Sequence, residues 1–136
     1  MEITVREHTG EKTVTIVSVD GKIDGTNYTQ LIDKAKELFS SGTKNLLLDM
    51  EKCGFLSSAG IMAILSVAQI SHGDNPSDPQ HVWISYDEMK RDIDKASGVQ
   101  LKVVNLQPKV KQSLEITGIL NILDLYDDLE TAITTF

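Results

Sequence analysis

Ser57 and Ser58, followed by Ala59 and Gly60, set two hydroxyls side by side at a junction. Before them run the apolar Leu46-Leu47-Leu48, then Asp49 and a short loop; after them apolar residues recur at helical spacing. The first N–H groups of a helix lack internal acceptors, so its N-terminus favours negative charge, phosphate included. Serine is equally an ordinary N-cap residue there, because its oxygen takes up one of those N–H groups. The local residues leave both uses open: a cap, or a reactive or modified serine.

Nucleophilic chemistry is poorly served. A nucleophile elbow reads G-x-S-x-G; Ser58 has Gly60 two residues after it but Leu56 two residues before, so half the motif is missing. His8, His72 and His81 lie in a terminal strand or in a polar stretch, and nothing places one as a base beside Ser58. Neither G-x-x-x-x-G-K-[ST] nor G-x-G-x-x-G occurs, so no phosphate-cradling loop is expected, and no cofactor. The single cysteine, Cys53, cannot pair within the chain or build a zinc cluster, and a reducing cytoplasm is its simplest home.

The elements that must position the serines follow from periodicity. Ile3 to Glu7 and Thr13 to Val19 are β-branched runs joined by Thr9-Gly10-Glu11, a hairpin signal. Tyr28, Leu31, Ile32, Ala35, Leu38 and Phe39 then fall at helical spacing; Thr26 or Asn27 can cap the start, and Gly42 lies just past the end. The run Leu46–Leu48 does not alternate, as expected of a strand buried on both faces. A helix from Ser58 to about Ile70 would turn Ile61, Ile64, Leu65 and Ala68 inward. Leu101 to Leu106 reads as a strand, and Pro108 opens a helix carrying Val110, Leu114 and Ile116, ended by Gly118. A short strand near Ile122 to Leu125 precedes a last helix with Leu129, Ala132 and Ile133, for which Asp127 and Glu130 form a capping-box pair.

Between the second helix and Leu101 the pattern breaks. Gly73-Asp74-Asn75-Pro76-Ser77-Asp78-Pro79 is turn chemistry. Ser85-Tyr86-Asp87-Glu88 has capping-box spacing for a helix at about Tyr86–Ala96, which Gly98 could end. Trp83 either pins this segment to the domain or offers a partner contact. The chain is thus expected to be one α/β domain over 1–136, with an inserted loop and helix at about 72–98. Its order, ββαβα(insertion)βαβα, calls for a mixed, largely parallel β-sheet with helices packed on it. In such sheets function gathers beyond the carboxyl ends of strands, here Glu51–Gly60.

Composition removes several classes. The chain has 136 residues, 40% hydrophobic and 24% charged, an ordinary globular balance for one domain. A net charge of −7, with only Lys109-Val110-Lys111 as a basic stretch, argues against nucleic acid. No apolar run approaches the roughly 20 residues of a membrane-spanning helix, so membrane insertion is not expected. Nothing in the sequence demands more than a monomer.

The stretch from Asn45 to Ile61, an apolar strand ending in Asp49-Met50, a short loop, Phe55, and Ser57-Ser58-Ala59-Gly60-Ile61, resembles the core of the STAS family. Upstream, Val19-Asp20-Gly21-Lys22-Ile23-Asp24 is similar to that family's V-x-G-x-[LI]-D turn. Downstream, Leu101-Lys102-Val103-Val104-Asn105-Leu106-Gln107-Pro108 and Leu114-Glu115-Ile116-Thr117-Gly118-Ile119 resemble its LxLVNxxP and LExTGL segments. The likeness covers nearly everything except about 72–100, and its short matches keep their order along the chain.

The resemblance is to the anti-sigma-factor-antagonist type, and it implies a STAS-type fold and a binding module, not an enzyme. In those proteins the serine before the S/T/A-G pair is phosphorylated by a kinase that is itself the anti-sigma factor. Aligned on Gly60, that position is Ser58, with Ser57 as the alternative. The unmodified protein would bind the kinase and free a sigma factor; the phosphorylated form would let go, until a phosphatase restores it. Asp24, Ser57, Ser58, Ala59, Gly60 and Ile61 would form the contact surface. Two positions depart from the family pattern, Ser57 for a frequent Asp and Ala59 for a common second Ser/Thr. Asp24 matches an acidic position near the serine, and equally reads as a cap for the first helix or its lead-in turn.

Overall fold

The structure, a computed structural model, describes residues 1–71, 100–118 and 123–136. Two β-branched segments open it as a hairpin, β1 (Glu2–Thr9) and β2 (Thr13–Asp20), paired antiparallel. Helix α1 (Tyr28–Ser40) crosses to β3 (Asn45–Lys52), and α2 (Ser58–Ser71) follows. After 72–99 come β4 (Gln100–Val104), α3 (Pro108–Thr117), β5 (Asp124–Tyr126) and α4 (Leu129–Thr134). The described strands form one sheet in the order β1-β2-β3-β4-β5, parallel from β2 onward. This is the mixed, largely parallel sheet with packed helices that the element order calls for. The expected 72–98 insertion, with Trp83 and the helix at about Tyr86–Ala96, falls outside the described residues, apart from its neighbouring strand at Gln100.

Side-chain alternation divides the core between the two faces of the sheet. Val17, Val19, Leu46, Leu48, Met50 and Val103 meet α1, α2 and α3 on one face. Val14, Ile16, Leu47 and Val104 meet Ala132 and Phe136 of the C-terminal segment on the other. Leu46, Leu47 and Leu48 are all essentially inaccessible, which is why that run shows no polar alternation. Along α2, Ile64, Leu65 and Ala68 are buried as expected, and so are Ser66, Val67 and Gln69. This helix is enclosed around most of its girth. Ile61 is only partly buried, packed at the margin of the core.

Turn chemistry sets the boundaries. Gly42 (φ +101°) closes α1 in a Schellman arrangement: its N–H donates to Phe39 O and that of Thr43 to Leu38 O. Pro108 sits in the first turn of α3, and Gly118 (φ 75°) ends it. Three expectations need correction. Ile116 is 83% exposed, because it stands two residues from Leu114 and so leaves the buried face of α3. The last helix is capped by Asp128, whose carboxylate accepts the N–H and hydroxyl of Thr131, rather than by Asp127 with Glu130. Asn27 precedes α1 without capping it; its amide instead accepts Asp24 N–H and donates to Lys22 O.

Lys102 is a buried cation on β4, only 4% exposed. Its stem runs beneath the C-terminal segment. Its ammonium donates to Tyr126 Oη (3.1 Å) and Thr135 Oγ1 (2.7 Å) and lies 4.8 Å from the centroids of both the Tyr126 and Phe136 rings. The amphipathic lysine thereby ties the C-terminal residues that follow α4 to the sheet.

Candidate functional site

The β3–α2 loop is held from two sides. Backbone bonds join it to the turn after β2: Gly21 N–H donates to Lys52 O (3.0 Å), Ile23 N–H to Phe55 O (3.1 Å) and Ser57 N–H to Ile23 O (3.0 Å). Ile23 and Leu56 form an isolated parallel bridge. Asp24 is therefore brought to the same edge as the serines, directly after the residue that clamps them.

Asp49 and the start of α3 hold the loop from beneath. The Asp49 carboxylate, 8% exposed in the second half of β3, accepts Glu51 N–H (3.1 Å) and a longer contact from Asn105 Nδ2 (3.5 Å). Gln107 Nε2 donates to Glu51 O at 2.7 Å. Asn105 has φ 61°, the left-handed region that asparagine tolerates better than most residues, and this ends β4 at Val104 instead of Leu106. Its N–H donates to Tyr126 O (3.1 Å), so one residue ties the end of β4 to both neighbouring strands, β3 and β5. Asn105→Ala is expected to destabilise by about 1–2 kcal/mol, since alanine takes that φ at greater cost and loses the side-chain contact. Asn105→Gly, which relieves the φ, should lose less; urea unfolding of the two variants separates backbone from side chain.

The two adjacent serines have different roles. Ser57 is the cap: its Oγ accepts Gly60 N–H (3.3 Å), and its carbonyl accepts Ile61 N–H (2.9 Å). Ser58 opens α2 as its first residue, is exposed, and makes no side-chain hydrogen bond among the described residues. The N–H groups of Ser58 and Ala59 lie in the first turn, where no intrahelical acceptor exists. Gly60 is buried directly over Ile23: a Cβ there would stand 2.6 Å from Ile23 O. That close approach brings the N-terminus of α2 against the turn bearing Asp24.

Asp24 has the capping role for its own turn. Its Oδ1 accepts the Thr26 hydroxyl (2.6 Å) and Thr26 N–H (2.9 Å), and Lys22 Nζ lies 3.8 Å from Oδ2. The Thr26 hydroxyl, then the Thr26 N–H, hold the Asp24 carboxyl below its ordinary range, with a smaller contribution from Lys22. A depressed carboxylate stabilises the fold above its unfolded pKa, and that contribution disappears as pH falls through the lowered folded value. Cys53 points inward, fully buried, its thiol 3.6 Å from Phe55 O and pushed up by desolvation.

The structure thus gathers Asp24, Ser57, Ser58, Ala59 and Gly60 at one edge, with Ile61 turned partly into the core. Sequence reasoning names Phe55 only as part of the family-like stretch and not as a contact residue; it is 49% exposed on the loop beside the serines. An aromatic residue in the short loop ahead of the serines was the available signal. Asp49, Asn105 and Gln107 were also missed as a set, because their partners lie 56 positions apart or on another element. Among the described residues no helix is long and apolar enough to cross a membrane, and no group of side chains suits a metal ion.

Comparison with known proteins bears on the fold. No curated protein matches the sequence. Among solved structures, an anti-sigma factor antagonist from Mycobacterium paratuberculosis superposes with TM-score 0.65 at 19% identity, covering 98% of this chain and 93% of that one. The phosphorylated form of the Bacillus cell fate determinant SpoIIAA gives 0.54 at 10% identity, covering 98% and 100%. The murine anion transporter Slc26a9 gives 0.58 at 16% identity, covering 90% of this chain and 17% of the transporter. At these identities the likenesses establish the fold. A family model for the STAS domain matches residues 2–71, which hold the hairpin, the Asp24 turn and the serine-bearing helix, and the chain belongs to that family.

Proposed function

We propose that the protein is an anti-sigma factor antagonist in a partner-switching pathway, a cytoplasmic binding module rather than an enzyme. In its unmodified form it binds an anti-sigma factor that is also a serine kinase, and phosphorylation of Ser58 releases it. A phosphatase returns it to the binding form. The observation that carries this reading is the division of labour between the serines. Ser57 is engaged as the cap, while Ser58 is exposed at the first position of α2 with its hydroxyl unengaged among the described residues. Ser58 can therefore be modified without disturbing the cap. A phosphate there would add about −1.5 to −2 charge and three acceptors beside a helix N-terminus that tolerates negative charge. An apolar or acidic partner face would not tolerate it, so release needs no refolding. The exposed Phe55 and the Asp24 turn complete a contact surface around the serine. The likeness to SpoIIAA in its phosphorylated form supports the same reading.

Intact-mass and peptide mass spectrometry of the protein from its native cell tests it. A single phosphate on Ser58, absent from Ser57, is the expected result; phosphate absent under every growth condition would overturn it. That outcome favours a second reading, an unphosphorylated STAS scaffold or sensor in a signalling or transport-associated complex. The likeness to the STAS-sized portion of Slc26a9 is the observation behind it.

A further inference from the structure

β1 is an edge strand, and among the described residues nothing pairs with its outer side. Such an edge presents a row of N–H and C=O groups, and natural proteins usually blunt it with charge. The charges of β1 are arranged differently. Glu2, Thr4 and Arg6 stand opposite Asp20, Ser18 and Ile16 on the face of the sheet away from α1–α3, and all three line a shallow cleft there. Ile3 and Val5 stand opposite Val19 and Val17, on the helix-covered face. Ile3 is partly buried against the core, whereas Val5 is 38% exposed at the rim. Among the described residues neither Glu2 nor Arg6 is in an ion pair, and each can take a partner from outside.

We propose that β1 is a self-association surface. Two copies pair edge to edge, antiparallel, about a two-fold axis through Thr4, and their sheets continue into one another. In that register Glu2 of each copy faces Arg6 of the other, Ile3 faces Val5, and Thr4 faces Thr4. Both ion pairs lie on the open face and both apolar pairs on the helix-covered face, where Val5 gains the cover it lacks. The alternatives are worse. A one-residue shift sets Glu2 against Glu7 and Ile3 against Arg6, and it also turns one helix layer to the opposite side of the sheet. Centring on Val5 sets the Glu7 carboxylate against apolar Ile3. Centring on Arg6 sets two guanidinium groups against each other. The sequence pattern Glu2-Ile3-Thr4-Val5-Arg6 is complementary to its own antiparallel copy only about Thr4. The paired edge, Glu2 to Arg6, includes none of the residues gathered around Ser58, and the proposal does not depend on phosphorylation.

Sedimentation of the full chain across a concentration series, with paired charge variants, tests this. The wild type should show a reversible dimer. Glu2→Arg and Arg6→Glu should each weaken it at least about tenfold, and the double exchange should restore it to within about threefold. Thr4→Cys should form a covalent dimer under mild oxidation, because directly opposed Cα atoms in an antiparallel pair lie within disulfide reach; His8→Cys should not. A chain that stays monomeric up to about 1 mM overturns the proposal. So does a dimer indifferent to both single charge variants, or one that Thr4→Cys fails to cross-link.

Discussion

Ser58→Asp is expected to bind the anti-sigma partner at least about tenfold more weakly than the wild type, a loss of about 1.4 kcal/mol, while Ser58→Ala binds within about threefold and cannot be switched off. The two substitutions act at an exposed hydroxyl without a hydrogen bond among the described residues, so neither removes an internal contact there. Aspartate at the first position of α2 should even stabilise the isolated protein by about 0.3–1 kcal/mol, because the helix N-terminus favours a negative charge. The expected signature is thus a protein that is as stable as the wild type, or slightly more so, and binds worse. Calorimetric titration against the purified partner and urea unfolding of the free protein read the two effects separately. Ser57→Ala supplies the contrast. It removes the oxygen that accepts Gly60 N–H and should cost about 1 kcal/mol of stability, with phosphorylation of Ser58 still possible. Equal affinity of Ser58→Asp and Ser58→Ala for the partner would sink the switch.

Much of this arrangement could be read from the chain because the signals were local. Leu46-Leu47-Leu48 announced a strand buried on both faces, and Pro108 and Gly118 bracketed α3 as such residues do. Thr9-Gly10-Glu11 marked the hairpin turn. Errors arose where two residues competed for one role. Asp127 and Asp128 are adjacent candidates, and the capping-box spacing to Glu130 selected the wrong one; Thr131 offers Asp128 both an N–H and a hydroxyl. Asn27 was a reasonable cap by type, but the open carbonyl of Lys22 and the N–H of Asp24 claimed its side chain first.

What could not be read is what distant elements do to one residue. Nothing in the residues around Lys102 signals that its side chain is buried. Its burial depends on Tyr126, brought beside it by the pairing of β5 with β4, and on Thr135 and Phe136, which reach it only when the C-terminal segment packs on that face of the sheet. The Asp49, Asn105 and Gln107 support beneath the serine loop likewise joins β3 to the β4–α3 loop with no shared local pattern. At the site itself, the sequence marked both serines as possible caps, and only the turn geometry divides the cap from the exposed hydroxyl.

Gly60 is the second position where a large effect is expected, and two forces with opposite signs meet there. Replacing a helical glycine by alanine normally stabilises by about 1 kcal/mol through propensity. Here the added Cβ would stand 2.6 Å from Ile23 O and 3.2 Å from both Ile23 Cβ and Leu56 Cδ2. The first of these is backbone that cannot rotate away. Ile23 O accepts Ser57 N–H, and Ile23 N–H donates to Phe55 O, so moving Ile23 strains both bonds that seat the loop. Moving α2 instead lifts its buried Ala63, Ile64 and Val67 from the core. Overpacking of this kind costs about 1–3 kcal/mol, occasionally more, and should outweigh the propensity gain. Gly60→Ala is therefore expected to lower the urea midpoint with an unchanged slope, and Gly60→Val to lower it further. The displaced loop should also show in the partner assay, because Ser58 and Phe55 move relative to Asp24 even while the protein remains folded. A stabilised Gly60→Ala would mean that α2 can slide away from Ile23 at little cost, and that the close approach does not fix the serine's position.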